Sequence, residues 1–203
     1  MKRLLLALLA AVLLQFIPIL NLPFLWFTAF FHELGHALVT LATGGSVRQL
    51  VLAANGAGHT LSGGGWPVLI GLSGYPAASL AGVLLWQGAR VGQAWRWLSP
   101  LLLVTILSVL VFWVRDLLSG FLLAVFVAGF ASLWRLGAKG RWVWALLAAT
   151  LLVNALLSPL QLLLGTGGDG HLLYQLTAIP ATIFVIFWVF IGLSTVVWVV
   201  TRR

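Results

Sequence analysis

Long and nearly uninterrupted apolar runs are the feature that most limits what this chain can fold into. Among 203 residues only 11 are Lys or Arg and 3 are Asp or Glu, while 62% are hydrophobic. Soluble domains carry about 25% charged residues, so a chain this apolar cannot cover a water-facing surface. The composition excludes a soluble enzyme and a disordered chain. The long runs favour helices over the short alternating segments of a β-barrel.

The predicted fold class is an all-α integral membrane protein with about six or seven transmembrane helices, in a single domain over residues 1–203. A helix needs about 20 apolar residues to cross a bilayer. Seven runs approach that length: Leu4–Leu20, Phe24–Thr43, Trp66–Trp86, Trp97–Val114, Leu117–Trp134, Trp142–Leu157 and Ala181–Val200. Asn21–Pro23 predicts a turn between the first two spans, with Pro23 in the first turn of the second helix.

Residues 45–65 differ from these runs and predict a small membrane-associated β-hairpin after the second helix. Val47–Leu52 and His59–Leu61 are predicted strands. Asn55 and Gly56 between them form a strong turn signal.

The basic residues lie singly or in pairs at the ends of apolar runs, where they set membrane orientation. They form no basic stripe with interleaved aromatics, so no nucleic-acid partner is expected.

Lys2 and Arg3 predict a cytoplasmic N-terminus, and an even number of crossings would keep most later basic residues on that side. A re-entrant third run, broken at Gly74–Pro76, would supply that even number. The compact chain fits a prokaryotic plasma membrane.

The sequence His32-Glu33-Leu34-Gly35-His36 lies inside the second apolar run and contains the only glutamate of the chain. Residues four apart share one face of a helix, so His32 and His36 can direct two nitrogens at one metal ion. Glu33 lies about 100° round the helix, where it can reach a water on that ion as a general base. An unpaired carboxylate inside a bilayer costs about 2.5–3.5 kcal/mol, which a bound dication would offset. The motif therefore predicts a Zn²⁺ site.

A catalytic zinc site needs a third protein ligand and an open position. Asp169 is our first candidate because it lies between glycines in a broken apolar segment, and glycine lets the backbone approach a site closely. His171 is an alternative ligand or a supporting residue. Asp116 is more simply a loop charge beside Arg115, and His59 a polar residue of the predicted hairpin.

Phe31–Leu38 resembles the zinc motif of site-2-protease-type intramembrane metallopeptidases, peptidase family M50, and within it the M50B-like group. The resemblance implies that Asp169-Gly170 matches the family's later Asp-Gly motif, which supplies the third ligand. It also implies a glycine-rich hairpin after the zinc helix, as in Gly44–Gly65. Many members carry Asn-Pro a few residues before Asp-Gly. Here Asn154 and Pro159 lie further upstream and are not adjacent, so no oxyanion role is assigned to Asn154.

Three functions follow from these observations. The first is a zinc metalloprotease in which Glu33 activates a zinc-bound water and a transmembrane protein substrate is cut within or near the bilayer. The second is a non-proteolytic membrane protein that retains the metal site, because a fold does not fix its function. The third is a small proton-coupled transporter whose histidines and glutamate form a proton relay.

Overall fold

The fold is described from a computed structural model, over residues 2–91, 93–165 and 167–201. Eight α-helices and one β-hairpin occur in these ranges. In chain order they are α1 Lys2–Leu14, α2 Pro18–Ala42, β1 Ser46–Leu52, β2 Gly58–Gly63, α3 Pro67–Arg90, α4 Trp95–Phe112, α5 Leu117–Leu136, α6 Arg141–Gln161, α7 Asp169–Thr177 and α8 Ala181–Thr201. A short 3-10 turn at Gly137–Gly140 joins α5 to α6. The predicted all-α membrane fold with a hairpin after the second helix is confirmed.

Five helical stretches in the described ranges are long and apolar enough to span a membrane. The longest, Leu117–Gln161, contains both α5 and α6, so six helices have 18 residues or more. In contrast, α1 has 13 residues and covers only about 20 Å at 1.5 Å per residue. The predicted first span Leu4–Leu20 is therefore wrong in its second half, because the chain leaves α1 after Leu14 and starts α2 at Pro18.

The predicted turn at Asn21–Pro23 is also wrong, because α2 begins earlier and runs through it. Pro18 occupies the first turn of α2, where a missing N–H costs nothing. Pro23 lies inside the helix and forgoes only the hydrogen bond to the Ile19 carbonyl, close to the helix start.

The predicted break at Gly74–Pro76 is wrong for a different reason. Helix α3 runs without interruption from Pro67 to Arg90, although Pro76 cannot donate to the Leu72 carbonyl. That carbonyl instead accepts the indole N–H of Trp188 from α8 at 3.1 Å. A neighbouring helix thus satisfies the backbone group that proline leaves free, as membrane helices permit. The re-entrant third run is excluded.

The hairpin pairs β1 with β2 in antiparallel register, with Leu50 opposite Thr60. The outer edge of β1 is occupied, because the Leu50 N–H donates to the Trp113 carbonyl at 2.9 Å and the Leu52 N–H to Ser119 Oγ at 2.8 Å. The α4–α5 connection and the first turn of α5 therefore hold the hairpin from one side. Among the described residues, no backbone hydrogen bond reaches the outer edge of β2, which is therefore the free edge of the hairpin.

Helices α2, α3 and α6 form the centre of the bundle. Helix α3 packs against both α2 and α6, while α1 and α8 flank α6. Small residues of α3 permit this close approach: a Cβ on Gly82 would lie 3.0 Å from Leu152 of α6. Helix α7 packs on α3 and α8, which brings the start of α7 to the zinc-motif helix.

Candidate metal centre

His32 and His36 lie one helical turn apart on α2, as their spacing predicts. Their Nε2 atoms are 3.0 Å from each other, and their rings meet edge to face with centroids 4.7 Å apart. Both nitrogens therefore converge on one point beside the helix.

Asp169 is the first residue of α7, not part of an irregular segment as the sequence suggested. Gly168 precedes it with φ +78°, a conformation that glycine adopts without strain. The Asp169 Oδ2 atom lies 2.9 Å from His32 Nε2 and 3.3 Å from His36 Nε2. Burial acts to raise the pKa of the Asp169 carboxyl, but the hydrogen bonds and charges of the two imidazoles outweigh it and hold that pKa below its ordinary value.

The three donor atoms fit a zinc ion. Tetrahedral Zn²⁺ with bonds of about 2.0–2.1 Å separates its ligand atoms by about 3.3–3.4 Å. The observed separations are 2.9, 3.0 and 3.3 Å, within a few tenths of that value. Two nitrogens and one carboxylate oxygen are also the donor types that zinc prefers.

The protonation of His36 suits a metal ligand. Its Nδ1 lies 2.6 Å from the Ile70 carbonyl, which can only accept, so Nδ1 carries the proton. Ser73 supports the same carbonyl through a hydrogen bond of 2.7 Å. The Nε2 lone pair is thereby left free, in the manner of outer partners that orient metal-binding histidines.

His32 lies directly against the backbone of α3 at Gly74. A Cβ on Gly74 would lie 2.5 Å from both Cε1 and Nε2 of the His32 ring. The absence of a side chain at this position is therefore what lets α3 and the imidazole share the space.

Glu33 is not one of the three donors, and its side chain contacts the hairpin. Its side chain is only 4% exposed, and its Oε2 accepts a hydrogen bond of 2.8 Å from the Thr60 hydroxyl on β2. Gly58 leaves room for it, since a Cβ there would lie 2.7 Å from Glu33 Cγ. The carboxylate is thus fixed between α2 and the free-edge strand.

A cavity of about 740 Å³ joins these groups. Its walls include His32, Glu33 and Asp169, the β2 residues Gly58 to Thr60, and one face of α6. The α6 face contributes Asn154, whose amide donates to Thr28 Oγ1 at 3.0 Å. The site therefore has room for an extended peptide segment next to Glu33.

The other candidate ligands do not join the three donors. Asp116 caps α5, because its Oδ1 accepts the Ser119 N–H at 2.9 Å. His171 is exposed on α7 and pairs with Gln175 at 2.9 Å. His59 is an exposed residue of β2 on the cavity wall. Within the described ranges, the one group of three that could hold a metal is His32, His36 and Asp169.

Sequence reasoning missed the support that α3 gives to the site. Ile70, Ser73, Gly74 and Tyr75 all contact a histidine of the zinc motif. Small residues recurring at helical spacing on α3 were the available signal, because such residues mark close helix–helix packing.

The helical membrane bundle, the donor set and the neighbouring buried glutamate fit a membrane metalloprotease. The sequence model of the Peptidase M50B-like family matches residues 5–199. The chain therefore belongs to the Peptidase M50B-like family, whose activity is that of a peptidase. No curated protein and no solved structure matches it significantly.

Proposed function

We propose that this protein is a zinc endopeptidase of the site-2-protease type that cuts transmembrane proteins within or near the bilayer. The observation that carries the proposal is the convergence of His32, His36 and Asp169 beside the buried Glu33 in one cavity. We further propose that residues 1–203 act as a single domain in a prokaryotic plasma membrane.

The metal would be held by the two histidine Nε2 atoms and by Asp169 Oδ2. Zinc in such a site polarises a carbonyl and makes a bound water more acidic. The protein's own part is to fix the donors: Ile70 holds the tautomer of His36, and Gly74 admits the ring of His32.

Glu33 would act as the general base. It takes a proton from the attacking water and delivers it to the nitrogen of the leaving amine. The Thr60 hydroxyl lies 2.8 Å from Glu33 Oε2 and orients the carboxylate. The other carboxylate oxygen, Oε1, is left for the water. Because Glu33 and the donors share a cavity wall, water and a peptide carbonyl can meet between them.

The hairpin would hold the substrate. A transmembrane helix must unwind before its peptide bonds can be attacked, and an unwound segment needs new backbone partners. The outer edge of β1 is taken by Trp113 and Ser119, whereas β2 borders the cavity. In this register the backbone groups of Gly58 and Thr60 point away from β1. A substrate strand could therefore pair with β2, as in β-augmentation.

Glu33→Gln tests the proposal. The variant should retain one zinc per chain, because Glu33 is not among the three donors, and should cut a single-pass reporter helix in detergent about 10²- to 10⁴-fold more slowly. Asp116→Asn is the matched control, since it makes the same change from acid to amide at a helix cap outside the cavity. It should cleave like wild type.

Two results would contradict the proposal. Undiminished cleavage by Glu33→Gln would remove the assigned base. A wild-type protein that binds zinc stoichiometrically but cuts no reporter, with or without a chelator, would instead favour the non-proteolytic alternative.

A further inference from the structure

We propose that the Tyr75 hydroxyl is a catalytic hydrogen-bond donor to the oxygen of the scissile carbonyl. The inference rests on the proposed function, because it adds a residue to that hydrolysis. Tyr75 lies on α3 and lines the same cavity as Glu33 and Asp169. Its ring packs edge-on against the His32 imidazole, with centroids 4.5 Å apart.

Such a donor would speed the reaction beyond what the metal ion supplies. Attack of water on a peptide carbonyl places negative charge on the carbonyl oxygen, and a preoriented donor at that oxygen lowers the barrier. Two other donors on the cavity wall are already engaged, because the Thr60 hydroxyl donates to Glu33 and the Asn154 amide donates to Thr28.

The Tyr75 hydroxyl is not engaged in this way. It has no hydrogen-bond partner among residues 2–91, 93–165 and 167–201, and its oxygen is not enclosed by the protein. A tyrosine hydroxyl normally finds a hydrogen-bond partner when it is buried, and a peptide bound in this cavity would bury this one. Beside the metal centre, that partner would be the substrate.

The ring that carries the hydroxyl is held in place by α8. Trp188 is fully buried, and its ring lies 4.6 Å from that of Tyr75, centroid to centroid. The indole N–H of Trp188 is tied to the Leu72 carbonyl, which Pro76 leaves free. Tyr75 therefore lies between two fixed rings, those of His32 and Trp188. A donor held in advance needs little reorganisation during the reaction.

Tyr75 keeps its proton throughout. As the water oxygen bonds to the carbonyl carbon, negative charge gathers on the carbonyl oxygen, and this oxygen accepts a hydrogen bond from the Tyr75 O–H. Glu33 carries the proton of the water to the leaving nitrogen, the C–N bond breaks, and the carbonyl oxygen loses its charge.

Tyr75→Phe removes the hydroxyl and leaves the ring against His32 and Trp188. With a single-pass reporter helix in detergent, kcat should fall about 100-fold with little change in KM. Zinc stoichiometry and the visible spectrum of the Co²⁺-substituted protein should match wild type. The matched control is Tyr174→Phe, because Tyr174 is the other tyrosine of the chain, 49% exposed on α7 and outside the cavity lining. Its kcat should be unchanged.

Tyr75→Leu removes the ring as well and should alter the Co²⁺ spectrum, which separates ring packing from the hydroxyl. Equal kcat for wild type and Tyr75→Phe would overturn the proposal. So would a changed Co²⁺ spectrum in Tyr75→Phe, because the hydroxyl would then act through His32. If the wild-type protein cuts no reporter, the proposed function itself fails. That result differs from the two results that would overturn the role of Tyr75.

Discussion

Gly74 offers the sharpest test of the metal centre, because its missing side chain makes room for a ligand. In a Gly74→Ala variant the new Cβ would lie 2.5 Å from Cε1 and Nε2 of His32. Carbon atoms pack best at about 3.5–4.0 Å, so the ring or the helix must retreat by about 1 Å. Metal–ligand distances hold to about ±0.2 Å, so a retreat of the His32 ring by this distance takes its nitrogen out of bonding range.

We expect Gly74→Ala to bind zinc about 100-fold more weakly, which is a loss of about 2.7 kcal/mol of binding free energy. This is the upper end of the loss in metal affinity that substitutions next to a metal ligand cause. Competition with a chelator of known affinity measures this directly in detergent. Cleavage of a reporter helix should fall in parallel when zinc is limiting and recover partly when zinc is in excess.

Gly129→Ala is the matched control. Gly129 lies within α5, and a Cβ there would meet nothing within 4 Å. Alanine is a better helix former than glycine by about 1 kcal/mol, so this variant should be at least as stable as wild type and bind zinc equally well. Zinc affinity in Gly74→Ala equal to that in Gly129→Ala would refute the reasoning, because it would mean that the His32 ring does not lie against α3.

Further substitutions address the remaining parts of the site. Asp169→Ala should lower zinc affinity more than about tenfold, as measured by competition with a chelator, and an unchanged affinity in that variant would exclude Asp169 as a ligand. Thr60→Val removes the hydrogen bond to Glu33 and should lower kcat about tenfold at unchanged zinc content; unaltered kcat would show that Glu33 needs no orienting partner. Ser119→Ala removes the acceptor of the Leu52 N–H, so hydrogen exchange at that amide should speed up and stability should fall by about 1–3 kcal/mol; unchanged exchange would exclude this anchor of β1.

The corrected helix boundaries show where sequence reasoning fails in a membrane bundle. Asn21–Pro23 was predicted to be a turn between two helices and Gly74–Pro76 to be a break in the third run, and both segments lie inside helices. Local rules count the hydrogen bond that proline removes. They do not count the replacement that a distant side chain supplies, here Trp188 at a separation of 116 residues.

The hairpin was predictable because its signals are local. The Asn55-Gly56 turn and the flanking strands gave its position, and the structure has β1 and β2 there. Its free edge was not predictable. Which strand is covered depends on Trp113 in the α4–α5 connection and on Ser119 in the first turn of α5, both more than 60 residues away along the chain.

The sequence by itself determined the membrane setting and the facing pair of histidines. Too few charges exist to cover a soluble surface, and a helix of 3.6 residues per turn must bring His32 and His36 to one side. Only the tertiary structure decided that Asp169, 137 residues from His32, approaches to 2.9 Å. That approach depends on how α7 packs against α3 and on the space that Gly74 leaves, and helix packing is set by side chains that meet from distant parts of the chain.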